Sequence, residues 1–484
     1  MLHAHFDLFV AARDEMVHEG FEPDFPPEVD QELADLKRQS QSIPESDARD
    51  LRGLLWSSID NDTSRDLDQI EFAERVAEGI RVRIGIADVD SKVPLGSAID
   101  EHARSETTSV YTGVRTFPML PELLSTDLSS LAEHEDRMAI VIEVVVKADG
   151  SIVTSEIYRA VVNNKAQLTY SGVGPWLEAR GAAEQKVASS PELQEQVKLQ
   201  DEAATALREQ RYRLGALNFD RVEVNATVRD GRVEGLTATK KTRADTLIED
   251  FMIAANEVMA KTLKDRGVPS IRRVVKSPER WPRIVELASR YGEKLPGQPD
   301  SGALNAFLEE RRLADEVHYP DLSLAVVKLM GPGEYVMSKP GAEDDGHFGL
   351  AATDYTHSTA PNRRFADLVV QRLSKAALAG QRPPYSDVEL SAIAAHCTAK
   401  EDAARKVERA MKKRIAAVAL QNRIGQSFSG VVTGVTPKGV FVRVLDPPVE
   451  GRLLRGEAGV DVGDRIEVQL LATDPQRGYI DFGR

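Results

Sequence analysis

Apolar and polar residues alternate over long runs in the middle of the chain, as they do in half-buried strands. Residues 141–162 contain two such runs joined at Asp149 and Gly150, a pair that favours a tight hairpin turn. Apolar residues then recur at helical spacing over 246–265, and again over most of 301–330 and 364–424. A region of strands followed by helices predicts an α+β domain with a mixed sheet over residues 51–425.

The two ends of the chain show different patterns. Residues 426–484 form short alternating segments with turn signals about every 8–12 residues, which predicts a closed five-stranded barrel of the OB type. Residues 1–50 show helical spacing that is broken between Pro23 and Pro27. They predict a small helical module, of which the helix-turn-helix is one form. The chain is therefore expected to contain three domains.

The charge of the chain bears on which partners it can bind. A net charge of −15 argues at first against nucleic acid, because polyanions bind basic surfaces. The charge is uneven, however, since residues 400–424 carry eight Lys or Arg against three Asp or Glu. An acidic exterior around a basic channel would give the same total. The sum therefore excludes a histone-like coat of positive charge and leaves enclosed binding open.

Cysteine usage and hydropathy indicate in which cellular compartment the protein is expected. Cys397 is the only cysteine among 484 residues, which excludes an internal disulfide and a thiolate zinc cluster and suits a reducing cytoplasm. No run approaches about 18 apolar residues, the length that a membrane-spanning helix needs. We therefore expect a cytoplasmic protein with no membrane partner.

A cluster of acids is the most informative segment. Four aspartates lie between Asp60 and Asp68, with Arg65 as the only basic residue among them. Packed carboxylates repel one another, and a divalent cation with oxygen ligands relieves the repulsion. A solvated acidic loop is one alternative. A calcium loop is another, since side chains from Asp60 to Glu71 fall at its ligand positions, but it needs a glycine where Arg65 stands and helices where the flanks show strand patterns.

The acidic segment also resembles a known motif. Asp60-x5-Asp66-x-Asp68 after Ser58-Ile59 resembles the magnesium motif of the ribonuclease II/ribonuclease R family, usually written T/S-I-D-x5-D-x-D-D. Several long motifs in one order are far more specific than any single motif, and the chain is identified as a member of this RNB family with a C-terminal S1 domain. The other segments that resemble the family occur in its order, and they are IADVDSKVPLGS…PMLPELLSTDLSSL (86–131), LIEDFMIAANE (247–257), GHFGLAATDYTHSTAPNRRFADLVVQRL (346–373) and VVTGVTPKGVFVRV in the S1 part.

The chain departs from the family pattern at several points. Gln69 stands where the family usually has a fourth aspartate, so the site loses one negative charge although the amide oxygen can still act as a ligand. Asn362 replaces the usual isoleucine, and Phe365 replaces the usual tyrosine. Because residues 1–50 predict a short helical module, we do not expect the family's N-terminal cold-shock barrels in them. We therefore expect a more open channel mouth, which structured RNA with a 3′ overhang can approach.

The resemblance implies a processive 3′-to-5′ exoribonuclease that hydrolyses RNA to nucleoside 5′-monophosphates with one or two Mg²⁺ ions, for which Mn²⁺ can substitute. It implies that Asp60, Asp66, Asp68 and Gln69 hold the metal and that Asp68 is indispensable for catalysis. Arg363 resembles the arginine that faces the scissile phosphate, a role suited to a guanidinium that stays charged and bridges two oxygens. A catalytically weakened RNA-binding member is the alternative that Gln69 leaves open.

Substrate contacts are also implied by the resemblance. Tyr111 corresponds to the aromatic residue that stacks on the terminal base, with core packing as the alternative. Glu408 corresponds to a glutamate that contacts the base end of the bound RNA. Arg364 is expected either to contact a backbone phosphate or to have a structural role. The expected partner is a single-stranded RNA 3′ end, bound by a monomer. Three barrel residues suggest a face that stacks on bases and contacts phosphates, and they are Lys438, Phe441 and Arg443.

Overall fold

The chain folds into an α+β body with a mixed sheet and a C-terminal five-stranded barrel, so the predicted fold class is confirmed. None of the described helices combines the length and the apolar character that crossing a bilayer requires. The structure is a computed structural model, and the residues it describes are 6–39, 48–219, 223–229, 232–315, 318–342, 345–437 and 439–484.

A mixed sheet forms the centre of the body. In chain order the first eight strands are β1 (Arg49–Asp50), β2 (Trp56–Asp60), β3 (Gln69–Val76), β4 (Gly79–Ala87), β5 (Val110–Tyr111), β6 (Thr116–Phe117), β7 (Asp136–Val146) and β8 (Ile152–Thr169). Six of them pair in the order β1-β8-β2-β3-β4-β7, while β5 and β6 form a separate short hairpin.

Strand β8 closes this sheet. The first part of β8 pairs antiparallel with β7, as the hairpin pattern predicts. Its last part pairs parallel with β2, so that the series of paired strands from β2 to β8 closes on itself. The register places Asp60, the last residue of β2, opposite Thr169, the last residue of β8. All five residues of β2 are buried. The acidic segment after β2 therefore begins at a fixed point on the edge of a packed sheet.

The described residues contain twelve α-helices. The predicted helix over 246–265 begins three residues earlier, because Thr242 and Asp245 form a capping box at its start. In chain order the helices are α1 (Leu8–His18), α2 (Pro27–Gln39), α3 (Ala98–Glu106), α4 (Tyr170–Leu177), α5 (Gln185–Ala188), α6 (Pro191–Arg213), α7 (Arg243–Asp265), α8 (Trp281–Ser289), α9 (Ser301–Ala314), α10 (Tyr319–Met330), α11 (Phe365–Leu378) and α12 (Asp387–Leu420).

The remaining strands form two antiparallel two-stranded sheets and the barrel. They are β9 (Glu223–Arg229), β10 (Arg232–Thr239), β11 (Ser270–Val274), β12 (Glu334–Ser338), β13 (Ser427–Thr436), β14 (Gly439–Leu445), β15 (Pro448–Arg455), β16 (Arg465–Asp474) and β17 (Tyr479–Gly483). The barrel closes in the order β13-β14-β15-β17-β16. Ala417 and Leu420 at the end of α12 belong to the barrel's hydrophobic core, so this helix joins the barrel to the body.

The two N-terminal helices belong to different hydrophobic cores. Leu8 and Met16 of α1 pack in one cluster with Met411 of α12, whereas Val29 of α2 is part of the cluster around the central sheet. Residues 1–5 and 40–47 lie outside the described residues. The helices expected within residues 1–50 are present, and the domain boundaries taken from the sequence stay a prediction.

A buried ionic cluster fastens α11 to the segment after β4. The Arg372 guanidinium donates to Asp90 at 2.8 Å, to Asp100 and the Tyr385 hydroxyl at 2.7 Å each, and to the Val93 carbonyl at 2.7 Å. The Arg372 side chain is 3% exposed and that of Asp100 is 2% exposed. Because α11 comes directly after the Arg363 segment, this cluster also sets where that segment lies.

We expect Arg372→Met to lower the free energy of unfolding by about 3–5 kcal/mol, because it leaves the buried Asp100 carboxylate without a cation. Urea denaturation monitored by tryptophan fluorescence measures the loss. Arg75→Met is the control, since it breaks the exposed pair between Arg75 and Glu202 and should have a much smaller effect on stability. Equal losses for the two variants would contradict the importance of this cluster.

Candidate active site

The acidic segment joins two neighbouring strands of the central sheet. Asp60 ends β2 and Asp68 immediately precedes β3, and the two strands pair antiparallel. The segment is fixed by Ser130, whose hydroxyl accepts from the Leu67 N–H at 3.1 Å and donates to the Arg65 carbonyl at 2.8 Å. Because strands flank the segment where a calcium loop needs helices, the calcium-loop alternative is wrong.

Asp68 is held by the segment that precedes α11. Its side chain is 5% exposed, and Oδ1 accepts from the backbone N–H of Asn362 at 3.2 Å and from the Asn362 side-chain Nδ2 at 2.9 Å. Its Oδ2 lies 3.8 Å from Arg363 Nε. Burial raises the pKa of Asp68 to about 7, while Arg363 and the bonds from Asn362 oppose the rise and the nearby Asp66 carboxylate adds to it.

Asp60 is the second buried carboxylate of the site. Its Oδ1 accepts from Gln69 Nε2 at 3.1 Å, whereas its Oδ2 is buried without a hydrogen-bond partner. Burial raises the pKa of Asp60 to about 6, and the hydrogen bond from Gln69 opposes the rise. A buried carboxylate oxygen that accepts no hydrogen bond is unfavourable unless a proton or a bound cation neutralises it.

Glu71 lies behind Asp60, and its position in the sequence suggested no role beyond the rejected calcium loop. Both of its carboxylate oxygens are buried without a hydrogen-bond partner. Burial raises the pKa of Glu71 well above its usual range, and the Asp60 carboxylate adds to this rise. The signal that could have indicated Glu71 is the two-residue period of β3, which places it on the same face as Gln69.

The three aspartates of the motif fit a hard divalent cation by their chemistry. Asp60, Asp66 and Asp68 offer carboxylate oxygens, and the unpartnered Oδ2 of Asp60 is a free ligand atom. Their oxygens do not, however, all lie within 4.8 Å of one another. In the described part of the chain, the one group of three His, Cys, Asp or Glu that meets this distance lies at the end of α1 and consists of Glu15, His18 and Glu19.

The two neighbouring arginines have different roles. The Arg363 side chain is 45% exposed and approaches Asp68, so its guanidinium can face a bound anion. Arg364 is instead committed to Asp367, to which it donates two hydrogen bonds of 2.8 Å each. Arg364 also lines the cavity that Arg363 lines, so its contact with a phosphate stays a prediction beside this structural pair.

Tyr111 lies close to Arg363 because the β5–β6 hairpin is tied to the segment before α11. The Ser109 N–H donates to the Arg363 carbonyl at 3.0 Å. Tyr111 is 41% exposed, and its backbone N–H donates to Glu408 Oε1 of α12 at 3.3 Å. Tyr111, Arg363 and Glu408 all line one cavity of about 240 Å³. The structure thus brings together three residues that lie far apart in the sequence.

Other side chains line the same cavity, and the sequence gave no signal for Tyr335, Glu401 or Arg405 among them. Tyr335 and His357 share a hydrogen bond of 2.8 Å between the hydroxyl and Nδ1. Burial, with Arg364 nearby, holds the pKa of His357 well below its usual range, which keeps the ring neutral and supports a structural role. Glu401 and Arg405 of α12 are paired at the cavity wall.

The barrel residues expected at an RNA face have varied surroundings. Lys438 lies outside the described residues. Phe441 is half-buried on β14, opposite Gly434 of β13 and Arg452 of β15. Arg443 donates to both carboxylate oxygens of Asp321 on α10, at 2.8 and 3.0 Å. The Arg443 guanidinium therefore connects the barrel to the body, a contact that the sequence did not predict.

Known proteins share both the sequence and the fold. Ribonuclease R of Thermotoga maritima is 31% identical over 96% of this chain and 69% of its own length, and Ribonuclease R 1 of Lactococcus lactis is 28% identical over 95% and 59%. The chain thus spans about three fifths to two thirds of these relatives. Mycoplasma genitalium RNase R, solved in complex with double-stranded RNA, has a TM-score of 0.85 at 23% identity and is matched over 98% of this chain and 83% of its own.

Family models match the two parts of the molecule separately. The model of the RNB domain matches residues 48–380, which is more than half of the chain. The model of the RNase II-type exonuclease C-terminal S1 domain matches residues 426–484, the region of the barrel. The chain therefore belongs to the ribonuclease II/ribonuclease R (RNB) family.

Proposed function

We propose that this chain is a processive 3′-to-5′ exoribonuclease that hydrolyses RNA to nucleoside 5′-monophosphates with Mg²⁺, one or two ions, for which Mn²⁺ can substitute. The observation that carries the proposal is the position of Arg363. Its guanidinium lies 3.8 Å from the buried Asp68 carboxylate and lines the same cavity as Tyr111 and Glu408. A phosphate entering this cavity would meet a cation beside a metal-binding carboxylate.

Asp60, Asp66 and Asp68 are the residues that would hold the metal. A bound Mg²⁺ supplies a deprotonated water at neutral pH and positive charge at the phosphoryl oxygens. Gln69 contributes its amide nitrogen to Asp60, which steadies that carboxylate in its charged form. A ligand role for Gln69 through its amide oxygen stays a prediction.

Arg363 is the residue that we assign to the scissile phosphate. Negative charge grows on the phosphoryl oxygens as water attacks, and a guanidinium placed in advance stabilises that charge without reorganisation. The neighbouring Asp68 carboxylate orients the guanidinium, and the backbone carbonyl of Arg363 is fixed by the Ser109 N–H. Arg364 supports this arrangement through its pair with Asp367.

Tyr111 and Glu408 would bind the last nucleotides. An exposed aromatic ring at the wall of the cavity provides a surface on which any base can stack. Glu408 accepts from the Tyr111 N–H and so links the hairpin to α12. The basic stretch over 400–424 lies largely on α12, and it would attract the RNA backbone toward the cavity.

The substrate class we propose is RNA with a single-stranded 3′ end, including structured RNA with a 3′ overhang. The double-stranded RNA bound by the Mycoplasma genitalium neighbour supports the second class. Phe441, with Lys438, is proposed as an RNA contact of the barrel, while Arg443 would first have to leave Asp321. We expect a monomer in a reducing compartment such as the cytoplasm, where the buried Cys397 stays a free thiol.

The first functional prediction is release of nucleoside 5′-monophosphates from RNA with a 3′ overhang in Mg²⁺, and none from the equivalent DNA or in the presence of a chelator. Thin-layer and gel analysis of labelled substrates measures both. Asp68→Asn should abolish release, because it removes charge from the metal site, while RNA binding measured by filter retention survives. Near wild-type release by Asp68→Asn would rule out the proposed site.

Arg363→Ala should lower kcat by about a hundred- to a thousandfold, the loss expected when one preorganised donor to a developing charge is removed. Single-turnover kinetics separate this loss from weaker binding. Arg382→Ala is the matched control, since Arg382 is an exposed arginine beyond the other end of α11. If Arg363→Ala changed only the affinity for RNA, Arg363 would be a phosphate anchor.

Tyr111→Ala should lengthen the final oligonucleotide by about one nucleotide, because a stacked base contributes about 1–3 kcal/mol and its loss lets the shortest products dissociate. Early cleavage steps should keep their rates. Tyr111→Phe keeps the ring and should leave the product length as in the wild type. High-resolution gels of end-labelled RNA resolve single nucleotides, and identical end products for Tyr111→Ala would show that Tyr111 only packs.

A further inference from the structure

Two departures from the family pattern meet at the proposed metal site, and both are amides. Gln69 stands in place of an aspartate and donates to Asp60 Oδ1 at 3.1 Å. Asn362 stands in place of an isoleucine and donates to Asp68 Oδ1 at 2.9 Å. The chain therefore has one carboxylate fewer than the pattern and two amide donors aimed at the carboxylates that remain.

Asn362 is buried and fully engaged. It is 1% exposed, and both its backbone N–H and its Nδ2 donate to the same oxygen of Asp68. Its Oδ1 accepts from the Ser129 hydroxyl at 2.6 Å. A carboxylate only accepts, whereas a hydroxyl can donate or accept, so Asp68 is the group that orients the NH₂ end of the amide toward itself. The Ser129 hydroxyl, which also lies 2.8 Å from the Leu124 carbonyl, contacts the oxygen end of the amide, and Asn362 holds Asp68.

The paired donors leave the two oxygens of Asp68 in different surroundings. Oδ1 is occupied by two N–H groups, so Oδ2 alone is directed toward Arg363. An isoleucine at position 362 could donate only through its backbone, and the Asp68 side chain could then rotate about Cβ–Cγ. A ligand that is fixed before the ion arrives loses less conformational freedom on binding.

We propose that Asn362 is a positioning residue of the metal site, which holds Oδ1 of Asp68 and leaves Oδ2 directed toward Arg363, and that Ser129 acts through it. This inference rests on the proposed function.

The test measures metal binding without RNA, so that it does not depend on turnover. Mn²⁺ binding to the full-length, metal-stripped protein is measured by electron paramagnetic resonance. Asn362→Ile should weaken binding by about 10- to 100-fold, the usual effect of removing a partner of a metal ligand. Ser129→Ala should weaken it less, and the double variant no more than Asn362→Ile alone, because both act through one hydrogen-bonded chain.

Kinetics provide a second measurement. At a fixed, subsaturating Mg²⁺ concentration Asn362→Ile should lower kcat while KM for RNA stays within twofold of the wild type, since the cavity of Tyr111 and Arg363 is lined by other residues. Raising the Mg²⁺ concentration should restore much of kcat. A variant that was merely misfolded would lose RNA affinity as well and would not recover with added metal.

Asn163→Ile is the matched control. Asn163 is a buried asparagine of β8 that donates to Asp136 Oδ1 at 2.7 Å, at the opposite end of β2 from Asp60. It should leave Mn²⁺ binding unchanged. The inference is overturned if Asn362→Ile keeps Mn²⁺ affinity within twofold of the wild type or if Asn163→Ile weakens it equally. If Asp68→Asn itself left Mn²⁺ affinity unchanged, the metal placement would fall, and this inference with it.

Discussion

Carboxylates that are buried close together without a cation raise the free energy of the folded state. The structure around this site depends on contacts that hold such carboxylates in place. Asp60, Asp68 and Glu71 are all buried at one edge of the central sheet. Burial raises the pKa of each, because it disfavours the charged form, and a bound cation would favour that form. The closed sheet, the Ser130 contacts and the two amides all keep these acids in place despite their mutual repulsion.

The periodic parts of the fold could be predicted from the sequence. The β7–β8 hairpin, helix α7 and the barrel each bury one face, and alternation or helical spacing records that directly. The parallel pairing of β8 with β2 could not be predicted, because the residue pattern of a strand does not show which strand it pairs with on its other side. The contact between Arg443 and Asp321 was missed for a similar reason, since a charge pair between distant segments leaves no local signal.

The candidate residues named from the sequence lie in the acidic segment or come from the resemblance to the family, and the residues it did not name become neighbours of them only in the fold. The acidic motif lies within nine residues, so its chemistry is visible in the sequence. Glu71, Tyr335 and Glu401 acquire their roles only through packing. Arg363 and Arg364 are adjacent and chemically identical, yet one approaches Asp68 and the other is bound to Asp367, because successive residues at a helix start point in different directions.

Helix α12 connects the barrel mechanically to the hairpin that contains Tyr111. At 34 residues and about 1.5 Å of rise per residue, it is a rod of about 50 Å. Glu408, in the second half of this rod, holds the Tyr111 hairpin, and Leu420 at its end is part of the barrel core. A tilt of the barrel would therefore bend α12 or displace the β5–β6 hairpin that contains Tyr111. A displacement of the barrel would therefore be transmitted, through one continuous backbone, to the wall of the cavity that Tyr111 lines.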